Sequence, residues 1–305
     1  MFKKSMFMLV LLFFALATSV FATNNETVDS ILSLTGNIPN STIFFAVDGE
    51  EHTGSITLLP NQTTTLSCWG QAFDLDGYDD LNNLTTVIFA DSSSRFAPDN
   101  TSVHYTNNSC DMTFWNVDGR WNCTYTVQYY AEPSEWTCAI NITNTDEQYY
   151  NDTINVTSTV EDLVALEIHN KTVDFGLRAV GENYTADTEI VVYNTGNVVL
   201  DVALDAFNAS SVFTDDSDQA FNCSIGVIPV EYLRFSLNSG EDYLNSVPMV
   251  AAGATGVQAL GLAPQFGGNL VADAPTFAST YWAPAIPVNI AGTCTGRIMY
   301  IGSAQ

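Results

Sequence analysis

The run Trp136-Thr137-Cys138-Ala139-Ile140-Asn141-Ile142 decides the fold class. Side chains of an extended chain alternate between two faces, so Trp136, Cys138 and Ile140 share one side. Such a face predicts a strand whose indole packs in a core beside a disulfide. Comparable runs flank it: Ser55–Leu59, Thr63–Trp69, Thr85–Phe89, Trp121–Tyr130 and Thr153–Val160. They are rich in β-branched and aromatic residues and are bounded by Gly, Pro, Asn and Asp, which is the rhythm of a sandwich rather than of strands alternating with helices.

The same rhythm continues past residue 160. Thr188–Tyr193, the turn Asn194-Thr195-Gly196-Asn197 and Val198–Leu204 read as a hairpin, with Gly196 supplying a positive φ. Leu200, Val202 and Leu204 face one way while Asp201, Ala203 and Asp205 face the other, predicting one buried and one solvated face. Further strands are expected at Val257–Leu262, Thr280–Val288 and Gly296–Ile301, punctuated by Pro264, Pro275, Pro284 and Pro287. A chain of 305 residues exceeds one ordinary β-sandwich and suits two. The fold class expected is therefore all-β, with two tandem β-sandwich domains at residues 38–160 and 161–305.

Neither domain includes the start of the chain. Lys3 and Lys4 precede an apolar run from Met6 to about Leu16, then small residues and Val20-Phe21-Ala22. That pattern predicts a secretory signal peptide, residues 1–22, cleaved after Ala22. Residues 23–37, where Val28, Ile31 and Leu32 have helical spacing, are expected to be a linker or short helix. No second apolar stretch is long enough to cross a membrane, so no span is expected in the mature chain.

Two chemical signatures point to the same secreted, extracellular destination. Fourteen Asn-X-Ser/Thr acceptors occur, at Asn25, Asn40, Asn61, Asn83, Asn100, Asn107, Asn122, Asn141, Asn151, Asn155, Asn170, Asn183, Asn208 and Asn222. Chance from this composition would place about five, so N-glycosylation is the expectation. Six cysteines, an even number without Cys-X2-Cys spacing, read as three disulfides. A boundary near residue 160 leaves Cys223 to pair with Cys294. Cys68 and Cys138 lie in strand-like runs about seventy residues apart, as in a bridge between sheets. Cys110 and Cys123 then clamp a hairpin or loop.

Against 8 Lys and Arg stand 34 Asp and Glu, a formal charge of -26 that becomes -28 once Lys3 and Lys4 leave with the leader. Such a surface repels nucleic acid and anionic lipid. Within it, Asp74, Asp76, Asp79 and Asp80 crowd into Asp74-Leu75-Asp76-Gly77-Tyr78-Asp79-Asp80. Oxygen-rich loops of this kind suit a hard cation such as calcium, although a tight Asp-Gly turn accounts for them more simply. No other cofactor is expected. His52, His104 and His169 are dispersed, no His-Glu-X-X-His or Gly-X-Ser-X-Gly pattern occurs, and each cysteine is half of an expected bridge. The reading is of a protein that is not an enzyme.

Several stretches resemble the Ig-like surface proteins encoded by archaea. They are Cys68-Trp69-Gly70 through Asp74-Leu75-Asp76-Gly77-Tyr78, Tyr125–Ala131 and Trp136-Thr137-Cys138. Val173-Asp174-Phe175-Gly176, Asn194-Thr195-Gly196-Asn197, Tyr281-Trp282 with Ile286-Pro287, and Gly292-Thr293-Cys294-Thr295-Gly296 are similar to their second domain. The resemblance implies an exported envelope or adhesin-like protein and supplies no active site. Trp69 adjoins the cysteine here, whereas antibody-type domains place a tryptophan about a dozen residues beyond it.

No sugar acceptor follows Asn222, and residues 225–305 carry only six charges. That region is the expected contact surface toward other envelope proteins or a second copy, with Phe266 and Leu270 as test positions. Two other functions fit: a filament subunit assembled by strand complementation, and a carbohydrate-binding module using Trp115, Trp121, Tyr129 and Tyr130.

Overall fold

The computed structural model describes residues 39–47, 50–51, 55–75, 81–115, 118–144, 149–208, 218–250, 257–265 and 276–305. Residues 1–38, with the expected signal peptide at 1–22 and the expected linker or short helix at 23–37, lie outside them. The first half of the chain forms β1 (Asn40–Ser41), β2 (Phe44–Val47), β3 (Glu50–Glu51), β4 (Ser55–Ile56), β5 (Thr63–Phe73) and β6 (Leu81–Ala90). It continues with β7 (His104–Asn107), β8 (Asp111–Trp115), β9 (Asp118–Gln128), β10 (Glu135–Asn144) and β11 (Tyr149–Val160). The second half forms β12 (Leu166–Ile168), β13 (Thr188–Asn194), β14 (Leu200–Asn208), β15 (Gln219–Ile225) and β16 (Val227–Pro229). After these come β17 (Leu233–Ser236), β18 (Val247–Pro248), β19 (Val257–Leu262), β20 (Phe277–Pro284) and β21 (Ala291–Ala304). Among the described residues the only helical pieces are single 3₁₀ turns at Val230–Tyr232 and Tyr243–Asn245.

Four sheets result, as the all-β reading requires. The order β3-β2-β5-β9-β8, with β1 also on β5, faces β4-β11-β10-β6-β7; β12-β13-β20-β17-β18 faces β16-β15-β21-β14-β19. Each facing pair encloses one apolar core. In the first, Trp136, Cys138 and Ile140 are all fully buried, as alternation demands; Ala139, between them, is buried too without joining that core, and the β10–β11 register shifts beside it. Burying each large apolar side chain contributes roughly 1.5–3 kcal/mol. The polar ends of the aromatics are satisfied. Trp121 donates to Ser41 Oγ at 2.9 Å, and Trp136 donates to the Glu132 carbonyl at 2.9 Å. Tyr125 pairs with Thr86. In the second core Trp282 donates to Thr280 Oγ1 at 3.1 Å, and Tyr300 pairs with the same threonine. Burial raises the Tyr300 phenol to about 12, so it stays protonated.

Three disulfides close within this frame. Cys68–Cys138 joins β5 to β10 across the first core, Cys110–Cys123 ties the start of the β8–β9 hairpin, and Cys223–Cys294 links opposite positions of β15 and β21.

Several local expectations are corrected. Thr188–Tyr193 and Val198–Leu204 are not a hairpin: β13 pairs with β12 and β20, whereas β14 pairs with β19 and β21 in the facing sheet. Asn194–Asn197 therefore turns the chain between sheets. Asn194 drives the corner, accepting from the Gly196 amide at 2.9 Å and donating to the carbonyls of Val198 and Leu262. Gly196 is not among the positive-φ glycines; it is needed for space, because a Cβ there would stand 2.0 Å from the Leu163 carbonyl oxygen. Asp205, expected on a solvated face, is 2% exposed. The strand expected at Thr280–Val288 stops at Pro284, beyond which the Ala285 amide bonds to the Tyr232 carbonyl. The strand expected at Trp121–Tyr130 ends at Gln128, leaving Tyr129 and Tyr130 in the following turn.

Candidate functional site

β21 is longer than the strands that flank it, and the excess creates the site. Along one edge it pairs with β14 from Gly296 to Ala304; along the other, β15 covers only Ala291 to Gly296. Among the described residues no strand pairs with that second edge from Arg297 to Ser303. Beside it runs Val164–Leu166, held in place where Leu166 pairs with Asn194 and the Thr195 amide bonds to the Ala165 carbonyl. Between the two lies a groove of about 320 Å³ lined by Val164, Ala165, Leu166, Met299, Tyr300, Ile301 and Gly302. A side chain at Gly302 would press on Leu166 Cδ2 at 3.0 Å, so the glycine keeps the groove open. Tyr300 is spent on Thr280 and Trp282 and offers its ring rather than its hydroxyl.

The groove borders a hydrogen-bonded junction between the sandwiches. Asn197, 3% exposed, donates to the carbonyls of Ala131 and Glu161, both at 3.0 Å, and accepts from the Leu163 amide at 2.6 Å. The Asn61 amide bonds to the Thr195 carbonyl, and Tyr129 donates to Gln265 Oε1 at 2.9 Å. Glu161 accepts from Ser55 and Thr57, which hold its carboxyl below the usual range.

The acceptor asparagines are distributed differently. Asn61, Asn83, Asn122, Asn170, Asn183 and Asn222 are exposed, while Asn100, Asn107 and Asn141 are half-buried. Asn100 and Asn107 each accept the backbone amide two residues on, a turn built into the acceptor triplet. Asn141 stands opposite Thr85 on β6 and opposite Asn151 on β11, and Asn83 stands opposite Thr143. Three acceptor triplets thus occupy adjacent register positions on three adjacent strands. Asn40, Asn155 and Asn208 lie on β1, β11 and β14; Asn25 lies outside the described residues.

Other expected site residues fare unevenly. Asp74 is buried at the end of β5, but Asp76, Asp79 and Asp80 lie outside the described residues, as do His52, Phe266 and Leu270. Among the described residues no group of three His, Cys, Asp or Glu side chains is placed to share a metal. His104 is buried and bonds Asp99 Oδ1 at 3.0 Å; His169 stacks on Tyr193 at 4.2 Å. The aromatic binding platform is corrected for three of its four members: Trp121, Tyr129 and Tyr130 are 2%, 5% and 2% exposed and belong to the interior, while the Trp115 side chain lies outside what is described. The open edge of β21 escaped sequence reading, although the uninterrupted run Thr293–Ser303, longer than its neighbours, was its one visible sign.

No family model matches the chain, and no curated protein matches it. Among solved structures it is similar to the C-terminal domain of the AgI/II polypeptide BspA of Streptococcus agalactiae. The two are 9% identical over 87% of this chain and 96% of that one, with a TM-score of 0.23, too low to bear on fold or function.

Proposed function

We propose that the chain is an exported, N-glycosylated structural or adhesin-like component of a cell envelope, of the kind the archaeal resemblance implies. It acts by non-covalent contact and performs no bond chemistry. One observation carries this reading: acceptors crowd the β6, β10 and β11 register, whereas no triplet follows Asn222, where β21 lines its apolar groove. Sugar on one region shields it from protein contact, and the bare apolar region is left to make it. Three disulfides fit an oxidising exterior.

Fractionation of native cells tests the reading. The protein should travel with the envelope, migrate well above its 33.2 kDa chain mass and be released by chaotrope without proteolysis. Recovery from the cytoplasm at the bare chain mass contradicts it. The open strand edge favours a second reading, a filament subunit that completes its sheet with a strand from another copy.

A further inference from the structure

We propose that the sugar on Asn61, in the first sandwich, lies along a row of aromatic rings on the outer face of the second and straps the two together. This rests on the glycoprotein reading just given and assigns one of its sugars a binding surface. The row follows from strand register. Leu166, Ile168, Val192 and Ala278 pack toward the second core, so Glu167, Tyr193 and Phe277 take the opposite face. Glu167 stands opposite Tyr193, and Tyr193 opposite Phe277, which sets the three in a line across β12, β13 and β20. Two strand spacings make that line about 10 Å long.

The surface has the chemistry of a sugar site. His169 stacks on Tyr193 at 4.2 Å and Tyr193 leans on Phe277 at 5.6 Å, so the rings are continuous, and Phe277 is 61% exposed. Exposed rings offer apolar area to the C–H face of a pyranose, and carboxylates beside them accept from its hydroxyls. Glu167 supplies a carboxylate at one end of the row. Glu189, on the same face of β13, accepts from Tyr281 at 3.1 Å and supplies a second.

The occupant is fixed by where the first sandwich places an acceptor. Asn61 holds φ at +52°, a left-handed conformation that asparagine tolerates in turns, and its backbone amide bonds to the Thr195 carbonyl of the second sandwich. Its Nδ2, the atom to which an N-linked sugar is joined, stands 3.2 Å from Glu167 Oε2. A sugar there starts at the Glu167 end of the row, with Tyr193 and Phe277 beyond. The modified nitrogen keeps one hydrogen, so the bond to Glu167 survives the attachment. Thr63, which completes the acceptor triplet, is exposed at the start of β5. Asn170, next to His169 in sequence, is the neighbouring acceptor and supplies the control.

The test uses the full glycoprotein from its native host, with hydroxyl-radical footprinting of Tyr193 and Phe277 read by mass spectrometry. Thr63→Ala removes the sugar while keeping the Asn61 side chain and its bond to Glu167; Thr172→Ala unloads Asn170 in the same way. Oxidation of both rings should rise several-fold in Thr63→Ala and stay at the wild-type level in Thr172→Ala. Thr63→Ser, which keeps the triplet, should match wild type. As a second readout, Phe277→Ser should lower the urea midpoint of wild type and leave that of Thr63→Ala unchanged, because ring and sugar act as a pair. Equal oxidation in Thr63→Ala and wild type, a rise in Thr172→Ala instead, or additive effects of Phe277→Ser and Thr63→Ala would each overturn the proposal. A bare Asn61 beside loaded acceptors elsewhere sinks this inference and leaves the glycoprotein reading standing; bare asparagines throughout sink both.

Discussion

Asn197, in the corner after β13, reaches across the junction and donates through Nδ2 to the Ala131 carbonyl of the first sandwich at 3.0 Å. The same amide group takes up the Glu161 carbonyl and the Leu163 amide, so one buried side chain satisfies three backbone groups from two sandwiches. Asn197→Ala leaves all three without a partner, at a cost of about 3 kcal/mol or more. Calorimetry should show one cooperative transition in wild type and two in the variant, the sandwiches unfolding separately.

The disulfides differ in the loops they close. Cys68–Cys138 spans 70 residues and Cys110–Cys123 spans 13. By loop entropy the first constrains the unfolded chain by about 4 kcal/mol and the second by about 3 kcal/mol. Paired Cys→Ala variants compared by denaturant unfolding should therefore rank with Cys68/Cys138 the more damaging, since both bridges pack in the first core and differ in the loop they close.

Asp205 gives a prediction with a definite sign. Burial raises its carboxyl above the usual range, only partly opposed by the Ala206 amide that its Oδ1 accepts at 2.7 Å. A carboxyl with a raised folded-state value favours the folded state when protonated. Its contribution is lost as pH climbs from the ordinary carboxylate range through the folded value, and the charged form strains the fold above it. Asp205→Asn should raise the melting temperature at neutral pH and leave it unchanged near about pH 3, where both side chains are neutral. A variant less stable than wild type at neutral pH would contradict this.

Two glycines separate crowding from conformation. Gly196→Ala sets a methyl group 2.0 Å from the Leu163 carbonyl oxygen, so the junction must shift, at about 2 kcal/mol or more. Gly240→Ala meets open space but holds φ at +77°, and should cost about 1 kcal/mol. Urea midpoints should order the two accordingly.

How much of this was legible in the chain depends on the range of the interactions. Alternation in Trp136–Ile142 exposes a buried face because the period of a strand is local. The corner at Asn194–Asn197 misleads because the same turn chemistry serves a hairpin and a passage between sheets. What distinguishes them is where β20 and β21 pair, some ninety residues away in sequence. Asp205 misleads for a related reason: alternation assigns a residue to a face but does not say whether that face meets water. The open edge of β21 is the extreme case, since it is defined by how far β15 extends beside it. Asn197 reads as an ordinary turn residue until Ala131 and Glu161 are brought to it by the fold.

The central claim is a sandwich pair sealed by sulfur bridges, sheathed in sugar on one side and bare along β21. Peptide mapping of unreduced native protein, before and after glycan removal, tests it most directly. The account predicts the linked pairs Cys68–Cys138, Cys110–Cys123 and Cys223–Cys294, with glycan mass on the peptides of Asn83, Asn141 and Asn151 and none beyond Asn222. Free thiols at these six positions together with unmodified asparagines at those three would contradict it.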